Sequence, residues 1–212
     1  MRLTYGILVS GLREQTVMKI KQQRSIKKFL ETEYPSRKAE EIFNRQSSLL
    51  TSMIKSVKDE DGSRFKTLEQ TILPRIALYK VLEEYSGDEE RINIMRRYML
   101  DVVASKKHAS TARMEVVPGF FYIYRAVFLK IMKTTTLQES TQVKGKGYYD
   151  ITITKCLWHE ACVRFECPEL CPLFCDVDDV TYGGLRKIGF SRTKTLGYDG
   201  DCCDFHFYQK RE

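Results

Sequence analysis

Every cysteine of this 212-residue chain, seven in all, falls between Thr154 and Tyr208, together with His159 and His206. Thiols so confined imply local chemistry, and their spacing bears on which kind. An odd count, with Cys202 next to Cys203, does not make a regular disulfide framework. Reduced thiols and a cytoplasmic location are expected. Structural zinc favours C-x2-C or C-x4-C pairs in two separated halves, and no C-x2-C occurs. A composite metal site would have to draw Cys156, His159, Cys175 and Cys203 together by folding, and no metal or organic cofactor is expected.

A nucleophilic cysteine needs a lowered thiol pKa and a neighbouring acid or base. Cys175 is followed by Asp176, Asp178 and Asp179 and lies where an irregular segment enters a helix. The helix N-terminus favours thiolate, whereas nearby carboxylates disfavour it. Cys175 therefore reads as nucleophile, acid or substrate ligand, or as a buried structural thiol beside an acidic cap. Cys167, Cys171 and Cys175 would share one face of a regular helix, which Pro168 and Pro172 interrupt. His159 suits a general base, or is an ordinary half-exposed helix histidine; His108, in a Lys-Lys-His run, is expected in solvent. Arg192 alternates with Thr193 on a strand-like stretch. If buried it requires an anion, and a substrate carboxylate bound bidentately is one; an exposed strand face is the alternative.

The elements that must position these groups follow from apolar periodicity. Helices are expected from Thr16 to Glu33, after the break at Tyr34-Pro35-Ser36, along Leu68, Ile72, Ile76, Tyr79 and Leu82 with either a kink at Pro74 or a helix that begins just before it, and along Ile92, Met95, Met99, Val102 and Val103. A fifth opens at Pro118-Gly119 with Phe120, Tyr124, Val127, Phe128 and Ile131 inward. Ile7-Leu8-Val9 reads as a first helix or strand. Residues 143–147 form a flexible basic connector, after which Tyr149, Ile151 and Ile153 alternate with polar residues as in a half-buried strand. A helix from Leu157 to Arg164 follows, then a hairpin of 188–196 and 203–209, with Cys203, Phe205 and Phe207 on one face. The fold class is α+β: a helical lobe over 1–143 and a small, mainly antiparallel sheet with the cysteine-rich segment over 148–212, together one compact domain.

A composition of 42% hydrophobic and 30% charged residues is that of a globular protein. The net charge of +7 comes from residues 1–140, with 25 Lys and Arg against 17 Asp and Glu; residues 141–212 hold 10 against 11. The basic surplus lies away from the cysteines, so solvated helix faces explain it and no nucleic-acid partner is expected. No stretch approaches the ~18 apolar residues of a membrane span.

The Thr154-Lys155-Cys156-Leu157-Trp158-His159 stretch, Pro168 to Cys175 running into Asp178-Asp179, and Phe190 to Leu196 followed by a glycine loop and Cys203-Asp204-Phe205 resemble the L-2-amino-thiazoline-4-carboxylic acid hydrolase family in order and spacing. Ile72 to Tyr79 resembles its helical part. Cys162, Cys167 and Cys202 are additional to that pattern. The resemblance implies hydrolytic opening of a thiazoline ring to an N-carbamoyl amino acid, with a small carboxylate as the partner molecule. Applied to that chemistry, Asp178 or Asp179 suits the amidinium, and Cys175 or Cys203 suits nucleophile or acid, with His159 beside them. Arg192, Thr195 and Cys156 suit substrate binding. The alternatives are a small-molecule or metal-sensing module built on the same cysteines, and a basic helical adaptor.

Overall fold

The computed structural model describes residues 19–210. The run at 7–9 and the start of the first basic helix lie outside the described residues. The chain divides between Asn93 and Ile94 into two compact units.

In the first unit, α1 (Lys21–Glu33) and α2 (Ser36–Ser56) are separated by Tyr34-Pro35, where the proline holds Tyr34 in an extended conformation and ends the first helix. The short α3 (Gly62–Thr67) is capped by Asp61, whose carboxylate accepts the N–H groups of Ser63 and Arg64. It passes through a π-helical turn (Leu68–Ile72) into α4 (Leu73–Leu82). Pro74 brings no N–H and crowds the carbonyl one turn back, and the wide turn just ahead of it relieves both without a break. All five residues of the expected stripe, Leu68 to Leu82, are buried. So are Gln23 and Gln46, which exchange amide hydrogen bonds of 2.8 and 2.9 Å, while Gln46 also donates to the Pro74 carbonyl at 2.9 Å. Buried amides so satisfied tie α1, α2 and α4 together. Helix α5 (Asp88–Arg96) begins in this unit.

The second unit continues from α5 through a π-helical stretch (Arg97–Ala104), α6 (Ser105–Met114) and α7 (Phe120–Thr134). It then forms β1 (Gln138–Lys144), β2 (Tyr148–Cys156), α8 (Leu157–Arg164), α9 (Cys171–Tyr182), β3 (Ile188–Ser191) and β4 (Cys203–Gln209). The four strands make an antiparallel sheet in the order β1-β2-β4-β3, so the fold is α+β. The β2–β4 register pairs Tyr149 with Phe207, Ile151 with Phe205 and Ile153 with Cys203, putting the expected apolar sets on one face. Phe120, Phe121 and Met132 of α7 close the core with that face. Phe207 is at its centre, with the rings of Tyr124, Phe128, Tyr182 and Phe190 between 4.9 and 5.9 Å away. Among the described residues no helix is long and apolar enough to cross a membrane.

Three local expectations are corrected. Val143 and Lys144 end strand β1 instead of starting a flexible connector, and only 145–147 turn the hairpin. Strand β3, the first of the expected hairpin, stops at Ser191 rather than 196, because the Asp204 carboxylate takes the N–H groups of Thr193 and Lys194 at 2.9 and 2.8 Å in place of a ladder. Val127 and Ile131 of α7 are 54% and 50% exposed; Phe121 and Met132 are buried instead. That helix is apolar nearly all round, so periodicity alone does not select its inner side.

Glu115 caps α6 at its C-terminal end, where a negative charge opposes the helix dipole. The carboxylate is 1% exposed and accepts the backbone N–H groups of Arg186, Lys187 and Ile188 at 2.9, 2.6 and 3.3 Å. It thereby fixes the segment that enters β3.

Candidate functional site

Helix α8 ends in a Schellman turn, with Glu166 N–H bonded to the Val163 carbonyl at 3.1 Å and Cys167 N–H to the Cys162 carbonyl at 2.9 Å. Glu166 takes the left-handed conformation, φ 53°, that glycine more often fills. The turn folds Cys167 back over Cys162, and both are buried. A short 3-10 turn (Pro168–Leu170) leads into α9, which starts at Cys171; Pro172 is tolerated there because the first helical N–H groups need no partner within the helix. Only Cys171 and Cys175 of the C-x3-C-x3-C run therefore share a helix, one turn apart.

Thr195, 3% exposed, joins Cys175 to the sheet. Its Oγ1 lies 2.9 Å from Cys175 Sγ and 3.4 Å from Cys203 Sγ and accepts the Gly197 N–H at 3.2 Å. With Cys203 S–H and Gly197 N–H occupying its lone pairs, the hydroxyl proton of Thr195 points to Cys175 sulfur. The neighbouring side chains of Cys162 and then Cys175 lower the Cys171 pKa; burial opposes this and His159 adds to it. The same arrangement raises Cys175, through Cys171 first and burial second, with Thr195 pulling the other way.

Arg192 holds the acidic side. Its guanidinium donates to the Cys175 carbonyl at 3.2 Å, pairs with the Asp179 carboxylate and lies 3.8 Å from Asp176. Asp176 also accepts from Tyr198 hydroxyl at 2.8 Å and lies 3.5 Å from Arg96. The loss of solvent around Asp178 pushes its carboxyl up to about 6, against Lys107 and Arg192 and with help from Asp179. Asp179 is also raised, by burial first, with Arg192 opposing.

The structure thus brings Cys175, Thr195, Cys203, Arg192 and Asp179 into one hydrogen-bonded set, with Asp178 alongside. His159 sits half-buried on α8 near Cys171. Cys156 is at the N-cap of α8 without a capping bond, and burial takes its thiol up to about 12. Cys156, His159, Cys175 and Cys203 do not form a metal site: among the described residues no group of three or more His, Cys, Asp or Glu side chains is placed to hold an ion. All seven cysteines are free. His108 is half-buried rather than solvent-facing, its Nδ1–H donating to the Thr181 carbonyl at 3.1 Å. Cys171, Asp176, Tyr198 and Gly197 were not among the expected site residues. The four-residue spacing of Cys171 and Cys175 carried a signal for the first; nothing in the sequence singles out the loop residues.

One consequence can be measured. The raised Asp178 carboxyl binds its proton more tightly in the folded than in the unfolded chain, so its contribution to stability is greatest below pH 3.8 and is lost as the pH rises through about 6. Asp178→Asn is expected to be more stable than the wild type at pH 7, by about 2 kcal/mol, with the gap closing near pH 4. Urea unfolding of both proteins at the two pH values checks this; a gap independent of pH would refute the assignment.

Residues 64–207 match the model of the L-2-amino-thiazoline-4-carboxylic acid hydrolase family. Compared with curated proteins and with solved structures, the chain has no match in either.

Proposed function

Since the chain belongs to the L-2-amino-thiazoline-4-carboxylic acid hydrolase family, we propose that it hydrolyses a cyclic amidine bearing a carboxylate, with Cys175 as nucleophile. The observation that carries the reading is the joining of Cys175 and Cys203 through Thr195, with Arg192 and two aspartates on the same helix turn.

The carbon between sulfur and nitrogen in an aminothiazoline is amidine-like, and protonation of the ring makes it the better electrophile. Asp178, holding a proton up to about pH 6 and ionised above it, suits that amidinium and the proton transfers around it. Cys175 sulfur bonds to the carbon as its own proton leaves. The ring carbon–sulfur bond then breaks, with its electron pair on the departing sulfur, which takes up a proton. Water displaces Cys175 from the resulting isothiourea. The net change adds one water: its oxygen becomes the ureido oxygen and the ring sulfur becomes a free thiol. The bond broken in the thiazoline is carbon–sulfur; the same steps on an imidazoline or oxazoline ring would break carbon–nitrogen or carbon–oxygen.

Arg192 suits the substrate carboxylate on one condition. Asp179, half exposed, occupies the guanidinium now. In this reading Asp179 swings into solvent and the substrate's carboxylate takes its place, a charge-for-charge exchange with little electrostatic cost. Thr195 positions Cys175 rather than binding substrate, because its hydroxyl is already engaged.

The test is thiol release from 2-amino-thiazoline-4-carboxylate, followed with a thiol-reactive chromogenic reagent, with the ureido product identified by mass. One thiol per ring consumed is expected. Absence of turnover on the thiazoline and on its oxygen and nitrogen analogues would remove the hydrolase reading.

A further inference from the structure

We propose that the outer face of the sheet is a binding site for single-stranded nucleic acid, with bases laid on Tyr148, His206 and Tyr208 and phosphates on the lysines at the same end. None of the cysteine-site residues takes part, so the hydrolase reading stands or falls separately.

The register decides which side chains share this face. Between β2 and β4, Tyr148 pairs with Tyr208 and Asp150 with His206, and Gly189 of β3 lies opposite Tyr208. Alternation puts all of them on the side away from Tyr149, Ile151 and Phe207, which belong to the core. Tyr148 and Tyr208 are each 37% exposed, and His206 is half-buried. Two glycines set how the tyrosines lie. A methyl group on Gly145 would fall 2.0 to 2.7 Å from three atoms of the Tyr148 ring, and one on Gly189 2.2 to 2.6 Å from three atoms of the Tyr208 ring. Each tyrosine thus lies down across a glycine, where any side chain would lift it off the sheet. The His206 ring is tilted 29° from Tyr148 and 25° from Tyr208, at centroid distances of 6.2 and 5.4 Å, and its Nδ1–H donates to the Asp150 carboxylate. Three roughly parallel rings held against the backbone make a surface on which flat bases stack, and such stacking is sequence-tolerant because every base has a π-face.

Charge selects the occupant. Counted along the chain, residues 141–212 carry no basic surplus, which is why no nucleic-acid partner is expected from the sequence. Folding sorts these charges. Lys144 and Lys146 flank Gly145 at the β1–β2 turn and are exposed. Gln209 N–H bonds to the Gly147 carbonyl at 2.9 Å and Lys210 N–H to the Lys187 carbonyl at 3.1 Å, which brings Lys187 and Lys210 to the same end of the sheet. The side chains of those two donate only to the carbonyls of Val117 and Leu185, and among the described residues none of the four lysines pairs with a carboxylate. The acids nearby are Asp150, bonded to His206, and Glu115, buried against three N–H groups. Four cations beside three rings fit a polyanion that carries flat bases. A second copy of the chain, face to face, would set lysines against lysines, and a duplex keeps its base faces hidden.

The test is the fluorescence anisotropy of a labelled oligothymidylate of about twelve nucleotides, within the usual site size, titrated with the full chain. Saturable binding is expected, weakening on the order of tenfold between about 50 and 200 mM salt. Tyr148→Ala and Tyr208→Ala are each expected to weaken it about tenfold, and Tyr148→Phe, which keeps the ring, less than about twofold. Lys144→Glu combined with Lys146→Glu is expected to weaken it at least about tenfold and to flatten the salt dependence. These two lysines are exposed at a turn, so that variant decides even where a tyrosine variant fails to fold, which circular dichroism reports. No binding at about 50 mM salt would overturn the proposal. So would binding indifferent to both tyrosine replacements, since the lysines alone would then hold the strand, and so would equal competition by polyglutamate, which would make the face a site for acidic peptide.

Discussion

Cys175→Ser is expected to lower thiol release from the thiazoline by at least about 10^3-fold. Serine keeps the hydrogen bond to Thr195 and nearly the same volume, so the fold is expected to survive; the hydroxyl lacks the acidity and nucleophilicity of a thiol. Cys203→Ser provides the comparison that separates the two sulfurs. Cys203 is buried opposite Ile153 on the sheet, receives the Leu196 N–H at 3.4 Å and reaches Cys175 only through Thr195. Its replacement is expected to cost on the order of tenfold, through the orientation of Thr195. Steady-state rates with both variants, alongside far-ultraviolet circular dichroism, check the pair. Equal losses, or a larger one at Cys203, would move the nucleophile to the strand.

Glu115→Ala is expected to cost about 4 kcal/mol of folding stability. The side chain is buried, and its removal takes the acceptor from three backbone N–H groups at the entrance to β3. The carboxylate also sits at the unfavourable end of α6, so the nest of N–H groups, not the helix, accounts for it. Glu115→Gln is expected to fall between: its carbonyl oxygen can serve one or two donors, but its NH2 group cannot accept from the rest. Urea unfolding gives the stabilities. Hydrogen exchange at Arg186–Ile188 gives the location, with protection lost there first. Wild-type protection at these amides in Glu115→Ala would mean that the carboxylate does not hold the segment.

Where apolar residues alternate or recur on one side, the sequence was legible. Tyr149, Ile151 and Ile153 announced β2, Leu157–Arg164 was read at its actual ends, and the stripe from Leu68 to Leu82 was read as core. Strand β1 was hidden because Gln-Glu-Ser-Thr-Gln-Val-Lys has no apolar alternation and is an edge strand held by its neighbour's backbone. The end of β3 was hidden for a different reason: a side chain thirteen residues beyond Ser191, Asp204, supplies the acceptor that the ladder would have supplied. At the site, Cys175, Asp179, Arg192 and Cys203 were named from residue type and resemblance, and they do meet. Their linkage was not legible, since a threonine between two sulfurs is a fact of three dimensions.

Gly197 offers a way to sort other members of this family. A methyl group at that position would come within 2.7 Å of Cys175 sulfur and 3.2 Å of the Cys171 backbone, so alanine would have to displace that sulfur and press on the start of the helix. A homologue that keeps the cysteines but carries a bulkier residue there has either rebuilt this corner or given up its chemistry, and one small residue in a loop becomes a sharper marker of descent with function than the thiols themselves.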